Sequence, residues 1–156
     1  MFETIRIETD ARGVAHLWLA REDKHNALSA QMIRELTRAA GQLGADPLVR
    51  VVVLAARGKS FCAGGDLGWM RDQFAATRAG RLAEARRLAG MLRALNELDL
   101  PLIGRVNGAA YGGGVGMMSV CDVTVAVTAP EEVRVRRIMT RDGISEDYAR
   151  ARVRAQ

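Results

Sequence analysis

Two glycine-rich stretches hold the residues whose types and spacing could do chemistry. The first is Phe61-Cys62-Ala63-Gly64-Gly65-Asp66-Leu67, and the second is Asn107-Gly108-Ala109-Ala110-Tyr111-Gly112-Gly113-Gly114. Each follows an apolar run that reads as a strand and precedes a helical pattern. Glycine lacks a Cβ, so its backbone N–H can approach a ligand closely, and a helix start adds partial positive charge. That arrangement suits an oxyanion or a phosphate. Either stretch taken alone also fits an ordinary tight turn where strand meets helix. Neither is followed by Gly-Lys-Ser/Thr, so neither is a phosphate-binding P-loop.

Other groups with chemical capacity are sparse. Asp66 and Asp122 are the acids nearest the glycine stretches. His25 lies in a polar loop, whereas His16 alternates with apolar residues in a strand pattern and reads as structural. Neither histidine is paired with an evident nucleophile. Tyr111 precedes the triple glycine and could face a ligand or simply pack. Cys62 and Cys121 form no C-x-x-C pair and no disulfide framework, so ordinary thiols in a reducing compartment are expected and a zinc site is not.

The elements that must position these residues follow from periodicity. Glu3-Thr-Ile-Arg-Ile-Glu alternates polar and apolar, and Gly13-Val-Ala-His-Leu-Trp-Leu follows after Asp10-Ala-Arg, which predicts a hairpin of two strands. Ser29 can cap a helix in which Leu28, Met32, Ile33, Leu36, Ala40 and Leu43 recur at helical spacing, ending near Gly44 and Asp46-Pro47. Arg50-Val-Val-Val-Leu-Ala is a continuous branched run that predicts a strand buried on both faces of a parallel sheet. After the first glycine stretch, Leu88, Met91, Leu92, Leu95 and Leu98 predict a long helix with Arg86, Arg87 and Arg93 on its solvated face. Asp99-Leu-Pro101 stops it, and Leu102-Ile-Gly-Arg-Val reads as a further buried strand. Strand, helix and strand in this order predict an α/β layered fold.

Composition narrows the partners. The chain has 156 residues, 49% hydrophobic and 26% charged, which fits one compact domain or two very small ones. No apolar run approaches the roughly 18 residues of a membrane span, and no basic-then-apolar leader opens the sequence, so a cytoplasmic protein with no membrane partner is expected. The net charge of +5 comes from 23 basic and 18 acidic residues, with Lys24 and Lys59 the only lysines. The cations are scattered among acids with few aromatics between them, which argues against nucleic acid and for a small anionic ligand.

Taken together, the order strand, Phe-Cys-Ala-Gly-x-Asp-Leu, helix, Pro, strand, Asn-Gly-x-x-x-Gly-Gly-Gly, helix, Cys-Asp resembles the enoyl-CoA hydratase/isomerase (crotonase) superfamily over about residues 1 to 126. Asn26-Ala27-Leu28 adds to the resemblance, and Trp69-Met70 after Asp66-Leu67 is similar to its methylglutaconyl-CoA hydratase-like members. The resemblance implies the N-terminal half of a ββα spiral core. It also implies an acyl-CoA thioester as substrate and no cofactor beyond that coenzyme A. The implied oxyanion hole is made by the backbone N–H groups of Gly65 and Gly113. CoA contacts are implied at Lys24 and Ala27 and at Ala63, Gly64, Asp66 and Leu67, and a homo-oligomer, trimeric or hexameric, is implied as the assembly.

Two departures stand out. The hydratases of this family use glutamates as acid and base; the first would fall three residues after Gly113, where this chain has Gly116, and counting on to the second reaches Arg136. From Val123 onward the chain resembles instead the C-terminal part of dephospho-CoA kinases, a strand followed by two helices, although that kinase needs a P-loop that is not in this sequence. Residues 127–156 are therefore expected to form a helical tail, with Pro130 starting one helix, Gly143 breaking it and Ser145 capping the next. A chimera, a rearranged reading frame or a truncated fusion would each give such a chain. Binding without turnover, or a non-catalytic oligomerising piece, is the competing expectation.

Overall fold

The computed structural model describes residues 1–126 and 129–154. It divides into two compact units, Met1–Ala126 and Val127–Gln156. The first is built on a five-stranded sheet in the order β1-β2-β3-β4-β5. Strands β1 (Ile5–Thr9) and β2 (Val14–Leu19) form the antiparallel hairpin expected from their alternation. Strands β3 (Val51–Ala56), β4 (Leu102–Val106) and β5 (Val123–Ala126) then add in parallel, each beside its predecessor. Parallel neighbours need a crossover, and each crossover here contains helix. Helix α1 (Ala30–Ala45) joins β2 to β3, α2 (Leu67–Ala75) and α3 (Arg78–Asn96) join β3 to β4, and α4 (Gly113–Ser119) joins β4 to β5.

Register decides what is buried. The rows Ala15–Val52–Leu102 and Leu17–Leu54–Gly104 share one sheet face. That face packs with Met32, Ile33, Leu36, Ala40 and Leu43 of α1 and Met91 and Leu95 of α3 in one apolar cluster. The opposite face carries His16 and Trp18 of β2, Val53 of β3 and Ile103 of β4, all half-buried, with Arg105 exposed. The expectation that β3 is buried on both faces is therefore corrected: Val51 and Val53 are only half-covered, and Ala55 on the same face is sealed by Trp18 and Arg105, its neighbours in register. Arg105 lies 4.7 Å from the Trp18 ring centroid, a cation–π contact, and His16 stacks on Trp18 at 5.8 Å.

The caps behave as the sequence predicts, with local exceptions. The Ser29 hydroxyl accepts from Met32 N–H at 3.2 Å, so Leu28 lies just outside α1 rather than within it. Leu98 likewise falls beyond α3, which ends at Asn96. The arginine-bearing segment is two helices, because Asp66 caps α2 and Thr77 opens α3, its hydroxyl accepting from Gly80 N–H at 3.2 Å.

In the second unit, α5 (Glu131–Asp142) follows Pro130, ends at Gly143 in the left-handed conformation (φ 64), and is followed by α6 (Glu146–Arg154). Val135, Ala149 and Val153 form its small core. Arg150 reaches Glu132 at 2.8 Å and Glu146 at 2.7 Å. Val127, where the helical tail was expected to begin, lies outside the described residues.

Candidate functional site

Loops after β2, β3 and β4 leave the same ends of parallel strands, the edge at which open α/β sheets place their ligands. After β2, a 3-10 turn at Glu22–Lys24 leads into His25 and Asn26, both left-handed at φ 49 and φ 54. Asn26 is fully buried. Its Oδ1 accepts from Arg21 N–H at 2.8 Å, and its Nδ2 donates to Arg57 O at 2.8 Å and Ser60 O at 2.9 Å. One side chain thus ties the loop after β2 to the loop after β3.

From there the main chains pair directly. Ala63 N–H donates to His25 O at 3.0 Å, Leu28 N–H to Gly64 O at 2.7 Å, and Asp66 N–H to Leu28 O at 2.9 Å. These bonds bring the segment from Lys24 to Ala27 alongside that from Ala63 to Leu67. Lys24, Ala63 and Leu67 are exposed there, whereas Ala27 and Gly64 are buried.

The second glycine stretch joins the same cluster. Phe61 and Cys62 N–H both donate to Ala109 O, and Tyr111 N–H donates to Cys62 O at 2.9 Å. The corners pack closely enough to require glycine. Gly64 has φ +91, and a Cβ on it would lie 3.3 Å from Tyr111 O; one on Gly114 would lie 2.8 Å from Cys62 O. A Cβ on Gly112 would lie 3.8 Å from Gly64 Cα, so the two corners are neighbours. Among the described residues, neither Gly65 N–H nor Gly113 N–H has a hydrogen-bond partner. Gly113 is the first residue of α4, where N–H groups have no acceptor within the helix. With seven residues, α4 contributes that N–H rather than a large summed dipole.

Both nearby carboxylates are engaged within the fold. Asp66 Oδ1 caps α2 by accepting from Gly68 N–H at 2.9 Å and Trp69 N–H at 3.1 Å, while Oδ2 pairs with Arg21 at 3.0 Å. The Trp69 N–H bond, with the Arg21 guanidinium behind it, holds this carboxyl below the usual aspartate value of 3.8 against the opposing effect of burial. A carboxylate so fully engaged is not a proton donor at neutral pH. Asp122 Oδ2 accepts from Leu102 N–H at 2.7 Å and locks the start of β4. At Gly116, in the first turn of α4, a Cβ would meet Leu92 Cδ1 at 3.3 Å and Cδ2 at 3.5 Å. His25 Nδ1 is 3.3 Å from Ser60 Oγ, and Tyr111 is more than half exposed.

Sequence spacing gave no sign of two contributors. Arg21 donates to Ala27 O at 2.6 Å as well as to Asp66, bracing both segments from a position 45 residues from its carboxylate. Glu84 of α3 accepts from Trp69 Nε1–H at 3.0 Å. A groove of about 550 Å³ between α1 and α3, lined by Ile33, Arg34, Arg38 and Arg87 among others, contains no residue of the glycine corners. Among the described residues no group of three or more His, Cys, Asp or Glu could hold a metal ion, and no helix is long and apolar enough to cross a membrane.

Comparison with known proteins gives a consistent result. Residues 9–135 match the family described as enoyl-CoA hydratase/isomerase. The chain is 37% identical over 117 residues to the Mycobacterium tuberculosis protein named "Probable enoyl-CoA hydratase echA6", covering 75% of this chain and 44% of that one. It is 32% identical over 130 residues to the peroxisomal Delta(3,5)-Delta(2,4)-dienoyl-CoA isomerase of Arabidopsis thaliana, covering 78% and 46%. Among solved structures, an enoyl-CoA hydratase from Shewanella pealeana superposes with a TM-score of 0.77 at 34% identity, covering 79% of this chain and 46% of that one. One from Mycobacterium smegmatis gives 0.75 at 40%, covering 80% and 48%. The chain spans less than half the length of these relatives.

Proposed function

Because this chain belongs to the enoyl-CoA hydratase/isomerase family, we propose that its N-terminal unit, residues 1–126, binds an acyl-CoA thioester whose carbonyl oxygen is held by Gly65 N–H and Gly113 N–H. The observation that carries this reading is the pair of neighbouring glycine corners, each with a backbone N–H that has no acceptor among the described residues. Donors fixed in a folded main chain need not reorient as an enolate oxygen gains charge, and losing one such donor costs about 3 kcal/mol of transition-state stabilisation. In this reading Ala27, Ala63, Gly64, Asp66 and Leu67 line the CoA path, with Lys24 toward its phosphates. No cofactor besides the coenzyme A of the substrate takes part.

The parent chemistry is enoyl-CoA hydration or isomerisation of the methylglutaconyl-CoA hydratase-like kind. Gly116 facing Leu92 favours a second version, in which this chain binds the thioester without turning it over. In either version α5 and α6, whose sequence resembles the C-terminal part of dephospho-CoA kinases, take no part. The assembly is a homo-oligomer.

Titration with acetyl-CoA and with CoA, followed by calorimetry, tests the proposal. Acetyl-CoA is expected to bind more tightly than CoA, because only the thioester offers a carbonyl to the two amides. A folded sample that binds neither at millimolar ligand overturns the proposal. Equal affinity for the two overturns the oxyanion hole while leaving CoA binding. Release of product from crotonyl-CoA separates the catalytic version from the binding one.

A further inference from the structure

Helix α2 forms the wall behind Gly65 although it has no buried residue, and Leu67 and Phe74 are each 83% exposed. An element that buries so little apolar area gains little from the hydrophobic effect and belongs to the locally unstable end of a fold. Its position matters nevertheless. A Cβ on Gly65 would lie 3.0 Å from Met70 Sδ and 3.8 Å from Trp69 Cζ3, so these two side chains occupy the vacant side of the glycine.

Among the hydrogen bonds of the described residues, one joins an α2 side chain to another element, and it is Trp69 Nε1–H to Glu84 Oε2 at 3.0 Å. The Glu84 side chain is 16% exposed, and its other oxygen is paired with Arg87 one turn along α3. An ionised acceptor strengthens the indole bond, and Arg87 limits the carboxylate to one orientation. On the other side, Trp69 N–H is held by Asp66, which is held by Arg21, which reaches Ala27 O. Gly65 sits between these braces, and its own N–H has no acceptor among the described residues.

We infer that Glu84 is a positioning residue for the first amide corner: by fixing the Trp69 indole it sets the first turn of α2 against Gly65 and so the direction of the Gly65 N–H. It touches no substrate. Its significance for acyl-CoA rests on the function proposed above, but the brace itself is a property of the free protein. A donor left to wander by an ångström loses much of its value, as much as about a hundredfold in rate for a reacting group.

The test uses the full chain and three variants, Glu84→Ala, Glu84→Gln and Trp69→Phe, with circular dichroism confirming that each folds. In two-dimensional amide NMR of the free protein, Glu84→Ala and Trp69→Phe are expected to shift the Gly65 N–H signal and leave that of Gly113 in place. Glu84→Gln, which keeps an acceptor for the indole, is expected to restore most of the wild-type position. A Gly65 signal that does not move in Glu84→Ala overturns the inference. In ligand binding, the wild-type preference for acetyl-CoA over CoA is expected to fall about tenfold in Glu84→Ala. A preference retained in full overturns the link to the corner. If Gly65 moves as expected but the wild-type protein shows no preference for the thioester, the brace stands and the oxyanion-hole reading fails.

Discussion

Asn26 offers the most direct measure of what holds the candidate site together. It is fully buried and left-handed, and it makes three hydrogen bonds of 2.8–2.9 Å, all to main-chain groups of Arg21, Arg57 and Ser60. In Asn26→Ala those three groups lose their partner at a cost of about 1 kcal/mol each. Alanine in the left-handed region adds roughly 1 kcal/mol that asparagine largely avoids by local hydrogen bonding. The sum, about 4 kcal/mol, is a large part of the roughly 5–15 kcal/mol that stabilises a domain. Asn26→Gly loses the same bonds without the conformational cost and is expected about 1 kcal/mol above Asn26→Ala. Asn26→Asp keeps the acceptor for Arg21 N–H but turns a carboxylate toward two carbonyl oxygens, and is expected below Asn26→Gly. Urea unfolding followed by tryptophan fluorescence reads the right unit, since Trp18 and Trp69 both lie in Met1–Ala126. Alanine and glycine variants within 1 kcal/mol of wild type, or a glycine variant less stable than the alanine one, would refute the reasoning.

Two further expectations follow from protonation. Asp66 has a folded pKa below its unfolded value near 3.8, so the stability it supplies is present at neutral pH and is lost as pH falls through the folded pKa. In urea unfolding, the gap between wild type and Asp66→Asn should be widest near pH 7 and close below about pH 4; a gap that widens in acid contradicts the assignment. Burial raises the pKa of both thiols, pushing Cys121 up to about 11 with help from the Asp122 charge. Native protein should therefore react with a maleimide at pH 8 much more slowly than urea-unfolded protein, and equal rates contradict the full burial of Cys62 and the partial burial of Cys121.

Much of the scaffold was legible because its signals are local. The alternation of β1 and β2, the Ser29 cap and apolar stripe of α1, and the Pro130, Gly143 and Ser145 boundaries of the tail helices all lie within a turn or two of the residues they govern. The family was legible from two glycine motifs in a fixed order. Errors arose where local pattern and tertiary setting diverge. The valine run of β3 looks the same whether a helix or only Trp18 and Arg105 cover its second face, and the α2–α3 break depends on Asp66 and Thr77 serving as caps rather than as loop or helix residues.

What the sequence alone determined is the kind of backbone this chain makes: an α/β order of elements, glycine corners at two strand ends, and the absence of a glutamate at Gly116. Only the folded chain decided that Asn26 clasps two loops, that Arg21 finds Asp66 across 45 residues, and that Glu84 takes the Trp69 indole. The reason is one of range. Helical and strand periods are imposed by bonds between near neighbours, so they are written in short spacings. A pairing between distant residues exists only after the intervening loops have closed and the sheet has brought their ends together, and no spacing in the chain encodes which partner will be waiting there.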